Sequence, residues 1–319
     1  MNMPDWQSLV ANAYDLQVMD EPVSLFFQPI NRFYHQNLDL LAQWADYLNV
    51  EKGLPICRLL RNREGQFGTE INGESWVLMS REQMRRDQGI TTGMMLAELH
   101  LQSSGIDVRA FPESPANSRT KDWEDRMDAL ERKYEECLSR KSQSAFERIF
   151  LNNFPYFSGC AENAIQMNVD GFIDFPNPDP VCIGHYRYSN DDHVVDENPA
   201  LWVVDDRSRD LAEALRVLVW RTAKSDHEPD VFKFLDDYES RYPLTEHVIC
   251  NMYGRLLYPL AFVECCERYF FSSNSTDQRD LALLLRHCEE KAEDNEQLLS
   301  LLAHRYGGQL QVPEWLIKQ

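Results

Sequence analysis

The residues best suited to chemistry lie between Cys182 and Glu213: His185, Asp191, Asp192, Asp205, Asp206 and Asp210. Carboxylate oxygens suit Mg²⁺. A carboxylate held near a hydroxyl can also orient it for attack, so the set has the parts of a phosphoryl-transfer site. Arg187 interrupts it. A guanidinium keeps its charge in a protein and cannot act as a general base. Its simplest role is to bind an anion or to pair with Asp205 or Asp191. His185 reads as a half-buried scaffold histidine. Asp205 and Asp206 read either as metal ligands or as a solvated turn after a strand. Asp210 and Glu213 have D-x-x-E spacing, which is a capping box at a helix start and gives both a structural reading.

Other chemistries find less support. The chain has no G-x-S-x-G elbow for a serine hydrolase. His227, His247, His287 and His304 lack metal-ligand spacing, and the eight cysteines form no C-x-x-C pair. Scattered cysteines of this kind read as small buried hydrophobes. His100, on the apolar face of its helix, reads as a satisfied core histidine.

Apolar periodicity places the elements that must hold these residues. It predicts a short helix over 4–18, a strand pair over 23–34 broken or edged at Pro29, and a helix over 37–48. A meander follows, from Ile56 through Asn62–Gly65 and Gln66–Ile71 to Ser75–Met79. Asn72-Gly73 supplies its hairpin turn. Helices are predicted over 90–102, 121–140, 143–151, 210–223, 230–241, 247–269, 275–294 and 295–305. A short strand over 201–204 leads into Asp205. Ser275 with Gln278 has capping-box spacing, and Gly307-Gly308 ends the last helix.

The 319 residues carry a net charge of −20, which argues against a nucleic-acid partner or an anionic membrane surface. At 43% hydrophobic content the chain can bury a sizeable core. The first residues have no basic region or long apolar run, so no signal peptide is expected, and no segment is apolar enough to span a membrane.

Three runs together carry a resemblance. Gly93-x-x-Leu96-Ala97-x-Leu99-His100 resembles the G-x-x-L-A-x-L-H helix of choline-kinase and aminoglycoside-phosphotransferase-like proteins. The run from Phe154 to Asp170, FPYFSGCAENAIQMNVD, and the later run from Trp202 to Glu213, WVVDDRSRDLAE, resemble the spore-coat-associated kinase-like proteins of endospore-forming bacilli, relatives of the CotS coat proteins. The matched runs follow in order from about residue 54 onward.

The resemblance implies an α+β, protein-kinase-like bilobal fold. A small β-rich N-lobe over 1–80 would be followed by a large, mainly helical C-lobe over 81–319. Active relatives need a phosphate-covering loop, an N-lobe Lys, a catalytic-loop Asp with a downstream Asn, and a metal-binding Asp. Here no Gly precedes Gly53, and Lys52 is the only Lys before residue 81. His185 keeps the loop His, Arg187 takes the Asp position and Asp192 the Asn position. Asp205 is the candidate metal ligand. Asn163 and Gln166, one helical turn apart, are expected to hold the helical lobe together by hydrogen bonds.

The expected protein is therefore a catalytically degenerate kinase relative. It would be made in the mother-cell cytoplasm, associate with other spore-coat proteins and use no cofactor. The alternatives are an atypical phosphotransferase using ATP and Mg²⁺, or a nucleotide-binding switch without turnover. No nucleotide-contacting residue is assigned.

Overall fold

A computed structural model describes residues 12–14, 23–82, 90–188, 198–272 and 278–307. The predicted helix over 4–18 lies largely outside the described residues. Only Asn12–Tyr14 is described, and it is helical. Asp191, Asp192 and Ser275 also lie outside.

The β-rich part is one antiparallel sheet in the order β1-β4-β2, with β3 also pairing β4. Its strands are β1 (Val23–Pro29), β2 (Arg58–Leu60), β3 (Gly68–Ile71) and β4 (Glu74–Glu82). The long β4 pairs with the whole of β1, from Val23↔Glu82 to Pro29↔Trp76. The expected strand pair over 23–34 is instead this one strand and a 3-10 turn at Ile30–Arg32. Pro29 ends the strand because it has no N–H for the ladder. The hairpin between β3 and β4 turns at Asn72 and Gly73, whose φ angles are 55° and 83°. Two successive positive φ angles define the tight turn that Asn-Gly favours.

Helix α1 (Leu38–Asp46) packs beside this sheet. Asn37 caps it by accepting the Leu40 N–H, and Leu41, Ala45 and Leu48 join Ile56, Leu59, Val77 and Met79 in one apolar cluster. The same cluster includes Ile183, Trp202 and Val204 from a second, two-stranded ribbon. That ribbon pairs β5 (Cys182–His185) with β6 (Trp202–Asp205), and all eight of its residues are buried.

The remaining described helices are α2 (Thr92–Gln102), α3 (Arg119–Ser139), α4 (Ala145–Asp174), α5 (Ser208–Arg221), α6 (His227–Glu239), α7 (Glu246–Leu257), α8 (Leu260–Phe271), α9 (Gln278–Glu290) and α10 (Ala292–Tyr306). Two differ most from expectation. The helix expected over 143–151 runs 30 residues and continues through Pro155, where a helix ordinarily breaks. The Ser144–Glu147 capping box starts it, and a run of aromatic contacts holds it on both sides of Pro155. Phe157 stacks on Phe262 at 4.2 Å and Phe154 on Tyr134 at 4.8 Å. Conversely, the single helix expected over 247–269 is two, α7 and α8, parted at Pro259.

The chain divides into two compact units. One comprises 1–116, 180–210 and 236–242, and the other 117–179, 211–235 and 243–319. The first contains both sheets, α1, α2 and the start of α5. The second is helical.

Candidate active site: a buried aspartate frame beside an arginine-bearing loop

The first unit brings together residues that are far apart in sequence. His185 ends β5. His100 sits near the end of α2, 85 residues earlier by number. Asp210 lies in the first turn of α5, and Tyr238 belongs to the short 236–242 segment. The side chains of His100, His185 and Asp210 are fully buried.

Asp210 is the centre of this group. One of its oxygens accepts the His185 backbone N–H at 2.8 Å. The other accepts His185 Nδ1–H at 2.8 Å and His100 Nε2–H at 3.1 Å. On its far side His100 Nδ1 takes the Tyr238 hydroxyl at 2.8 Å. One tautomer satisfies the whole chain: Tyr238 donates to a neutral His100, which donates to an ionised Asp210. The local electrostatics agree. Burial holds the His100 pKa below its ordinary value against the opposing pull of Asp210. Burial alone would raise the Asp210 carboxyl. The charge of His185 and the hydrogen bonds from His100 and His185 outweigh it and hold the group well below the usual carboxylate range.

This corrects the capping-box reading. Helix α5 begins at Ser208, so Asp210 stands inside it. Asp206 serves the helix start instead, its carboxylate accepting the Ser208 N–H at 3.0 Å. Glu213 faces Arg216 at 3.3 Å.

Small residues and backbone bonds fix the ribbon against this frame. A Cβ on Gly184 would come within 3.1 Å of an Asp210 oxygen, so a larger residue there would make the carboxylate give way by a few tenths of an ångström. Ser103 at the end of α2 accepts the Ile183 N–H at 3.0 Å. His35 accepts the Val204 N–H at 3.0 Å through Nε2 and faces Glu113 at 3.3 Å through Nδ1. Burial lowers the pKa of His35, with Glu113 opposing. Neither His35, Ser103 nor Tyr238 stood out in the sequence. Each acts through a partner at least 80 residues away, and no local spacing encodes that.

Asp205 ends β6 and is 1% exposed. One of its oxygens accepts the Asp206 N–H at 2.8 Å, and the other accepts Arg209 Nη1 at 3.0 Å. Arg209 also donates to the His185 and Tyr186 carbonyls. Arg209 and the Asp206 N–H thus take one acceptor position on each Asp205 oxygen. Among the described residues no cluster of three His, Cys, Asp or Glu could hold a metal. Arg187 is half-buried and donates to the Tyr186 carbonyl at 2.9 Å. The cavity against His185, walled by Leu54, Ile56, Leu96, Leu99 and Tyr188, is about 20 Å³, room for about one water.

Asn163 and Gln166 lie on α4 in the second unit. Asn163 donates to the Gly159 carbonyl and Gln166 to the Asp170 carboxylate, each at 2.7 Å. Both bonds stay within α4, one turn away.

Known proteins share the fold that carries these residues. An aminoglycoside phosphotransferase from Alicyclobacillus acidocaldarius superposes with a TM-score of 0.70, covering 97% of this chain and 98% of that one at 11% identity. A spectinomycin phosphotransferase, solved with ADP and spectinomycin, follows at 0.60, covering 97% and 99% at 11% identity. The fold is thus the α+β, protein-kinase-like bilobal fold of the aminoglycoside phosphotransferases, with a small β-rich N-lobe and a large, mainly helical C-lobe. The endospore coat-associated protein YutH of Bacillus subtilis (strain 168) is 29% identical over 285 residues, spanning 85% of this chain and 83% of that protein. The family model described as "Spore coat putative kinase YutH" matches residues 7–302, and the chain belongs to that family.

Proposed function

We propose that the chain is a catalytically inactive member of this kinase-like family and serves as a structural or interaction component of the bacterial endospore coat. The observation that carries the reading is the state of Asp205, whose two oxygens are engaged by Arg209 and the Asp206 N–H. In working phosphotransferases an Asp in this role holds a metal bridging the phosphates. Arg187, two residues after His185, adds a cation where a proton acceptor would be needed. The absence of glycine before Gly53 and of lysine outside Lys52 in residues 1–80 points the same way.

Made in the mother-cell cytoplasm, the protein would reach the coat through contacts with other coat proteins, as its B. subtilis relative's association suggests. It would need neither ATP nor Mg²⁺ for this. The proposed lobe boundary lies near residue 80, where the meander gives way to helices.

A fluorescent fusion expressed in sporulating B. subtilis lacking YutH tests the role. The expected result is a fluorescent ring around the forespore, formed equally by the wild-type chain and by Asp205→Asn. Diffuse mother-cell fluorescence from the wild-type chain would contradict the coat role. A ring lost only in a folded Asp205→Asn variant would contradict the inactive site.

A further inference from the structure

The helical unit holds a cavity of its own. Residues of α4, α5, α7, α8 and α10 line it, and all of them belong to the second compact unit. Its volume is about 40 Å³, room for about three waters. Tyr156, Phe157 and Phe262 give it aromatic walls. Three further lining residues each carry a buried polar atom with no hydrogen-bond partner among the described residues. These atoms are the Trp220 indole nitrogen, the Tyr258 hydroxyl and the Asn295 amide oxygen. A buried polar group without a partner is costly, and three such residues on one cavity call for an occupant.

The three side chains are held in place. Asn295 Nδ2 donates to the Leu256 carbonyl at 3.0 Å. The Tyr258 ring stacks on Trp123 at 4.3 Å, and the Trp220 ring meets His287 edge-on at 5.8 Å. Their chemistry is complementary. The indole only donates, the amide oxygen only accepts, and the hydroxyl does either. The two cations that line the cavity are already answered. Lys291 donates to Asp294 at 2.7 Å, and Arg216 faces Glu213 at 3.3 Å and donates to the Arg255 carbonyl at 2.8 Å. The cavity therefore asks for no net charge. Water suits it poorly, because each buried water takes about three hydrogen bonds and aromatic walls supply none.

We propose that this cavity binds a small neutral molecule whose head group both accepts and donates a hydrogen bond, a short-chain alcohol or primary amide. Its oxygen accepts from the Trp220 indole, its O–H or N–H donates to the Asn295 amide oxygen, and its apolar end lies against Phe157 and Phe262. An alcohol does both through one oxygen, a primary amide through two atoms. No residue of the aspartate frame takes part, so the site is independent of the inactive-site reading.

Ligand-observed NMR titration of the full chain with propionamide, propan-1-ol and butanone tests this. Butanone has the shape of propionamide but cannot donate. Propionamide or propan-1-ol should bind with a Kd on the order of millimolar or tighter, within reach of a ligand this small. Butanone should bind about tenfold more weakly than the better of the two, because it leaves the Asn295 oxygen unpaired. Trp220→Phe, which keeps an aromatic wall and loses the N–H, should weaken the better ligand about tenfold. Binding by propionamide alone marks a two-atom head group, and binding by propan-1-ol alone a single oxygen; both support the proposal. It is overturned if neither binds, which would leave the cavity to water. It is also overturned if butanone binds as tightly as the better ligand, or if Trp220→Phe, shown folded by circular dichroism, binds like wild type. The butanone comparison uses only the wild-type chain and decides the matter even where the variant does not fold.

Discussion

Asp205 and Asp210 are five residues apart, equally buried, and used in opposite ways. Asp210 takes three N–H bonds from two histidines and ties β5, α2 and α5 into one frame. Asp205 is matched by a local cation, Arg209, and a neighbouring backbone N–H. The frame that would position a catalytic loop is complete. Beside it, Asp205 is held by a cation and a backbone N–H. Under the proposed function, holding such a loop and using it are separate tasks, and this chain keeps the first.

If that contrast is right, the largest effect comes from breaking the frame. Asp210→Ala removes the acceptor of three buried donors and should destabilise the protein by about 3–5 kcal/mol, read as a lowered midpoint in urea denaturation. A loss under about 1 kcal/mol would mean that the histidines find other partners. Removing the cation from the other carboxylate should cost less. Arg209→Met takes the guanidinium away from Asp205, and a loss of about 1–3 kcal/mol is expected. An Arg209 loss larger than the Asp210 loss would reverse the comparison.

Gly184→Ala tests the frame from the ribbon side. Its methyl would press on Asp210 at 3.1 Å, so about 1–3 kcal/mol should be lost. Combined with Asp210→Ala, which removes the crowded carboxylate, the glycine substitution should cost much less than alone.

The frame also predicts a pH dependence. His100 and His35 have folded pKa values below their ordinary 6.5. Below about pH 6.5 the unfolded chain binds protons that the folded chain refuses, so stability falls as pH drops. Asp210 has a depressed folded pKa. Its contribution is present above the ordinary carboxylate range and is lost as pH falls through and below it. Thermal midpoints should decline from about pH 7 to pH 5 and then more steeply toward about pH 3. A flat profile over the upper part of that range would show that the buried histidines protonate in place.

The two regions were also unequally legible in the sequence. The Asn72-Gly73 hairpin and the α1 stripe came through because local chemistry and periodicity encode them. Strand β5 did not. It is four residues long, and Gly184 reads as a strand breaker until Asp210 is seen beside it. The D-x-x-E spacing of Asp210 and Glu213 suggested a helix cap. The true partners of Asp210 lie 25 and 110 residues away, where spacing carries no signal. Pro155 and Pro259 look alike in sequence, yet one is carried inside a helix by aromatic packing and the other parts two helices. For Arg187, residue type alone says that this side chain cannot itself serve as a general base.

Turnover of ATP labelled in the γ-phosphate, followed in purified full-length protein with Mg²⁺, tests the separation of frame from chemistry most directly. Release and transfer should be no greater than in buffer and identical for wild type and Asp205→Asn. Phosphate release or transfer that Asp205→Asn abolishes would contradict it.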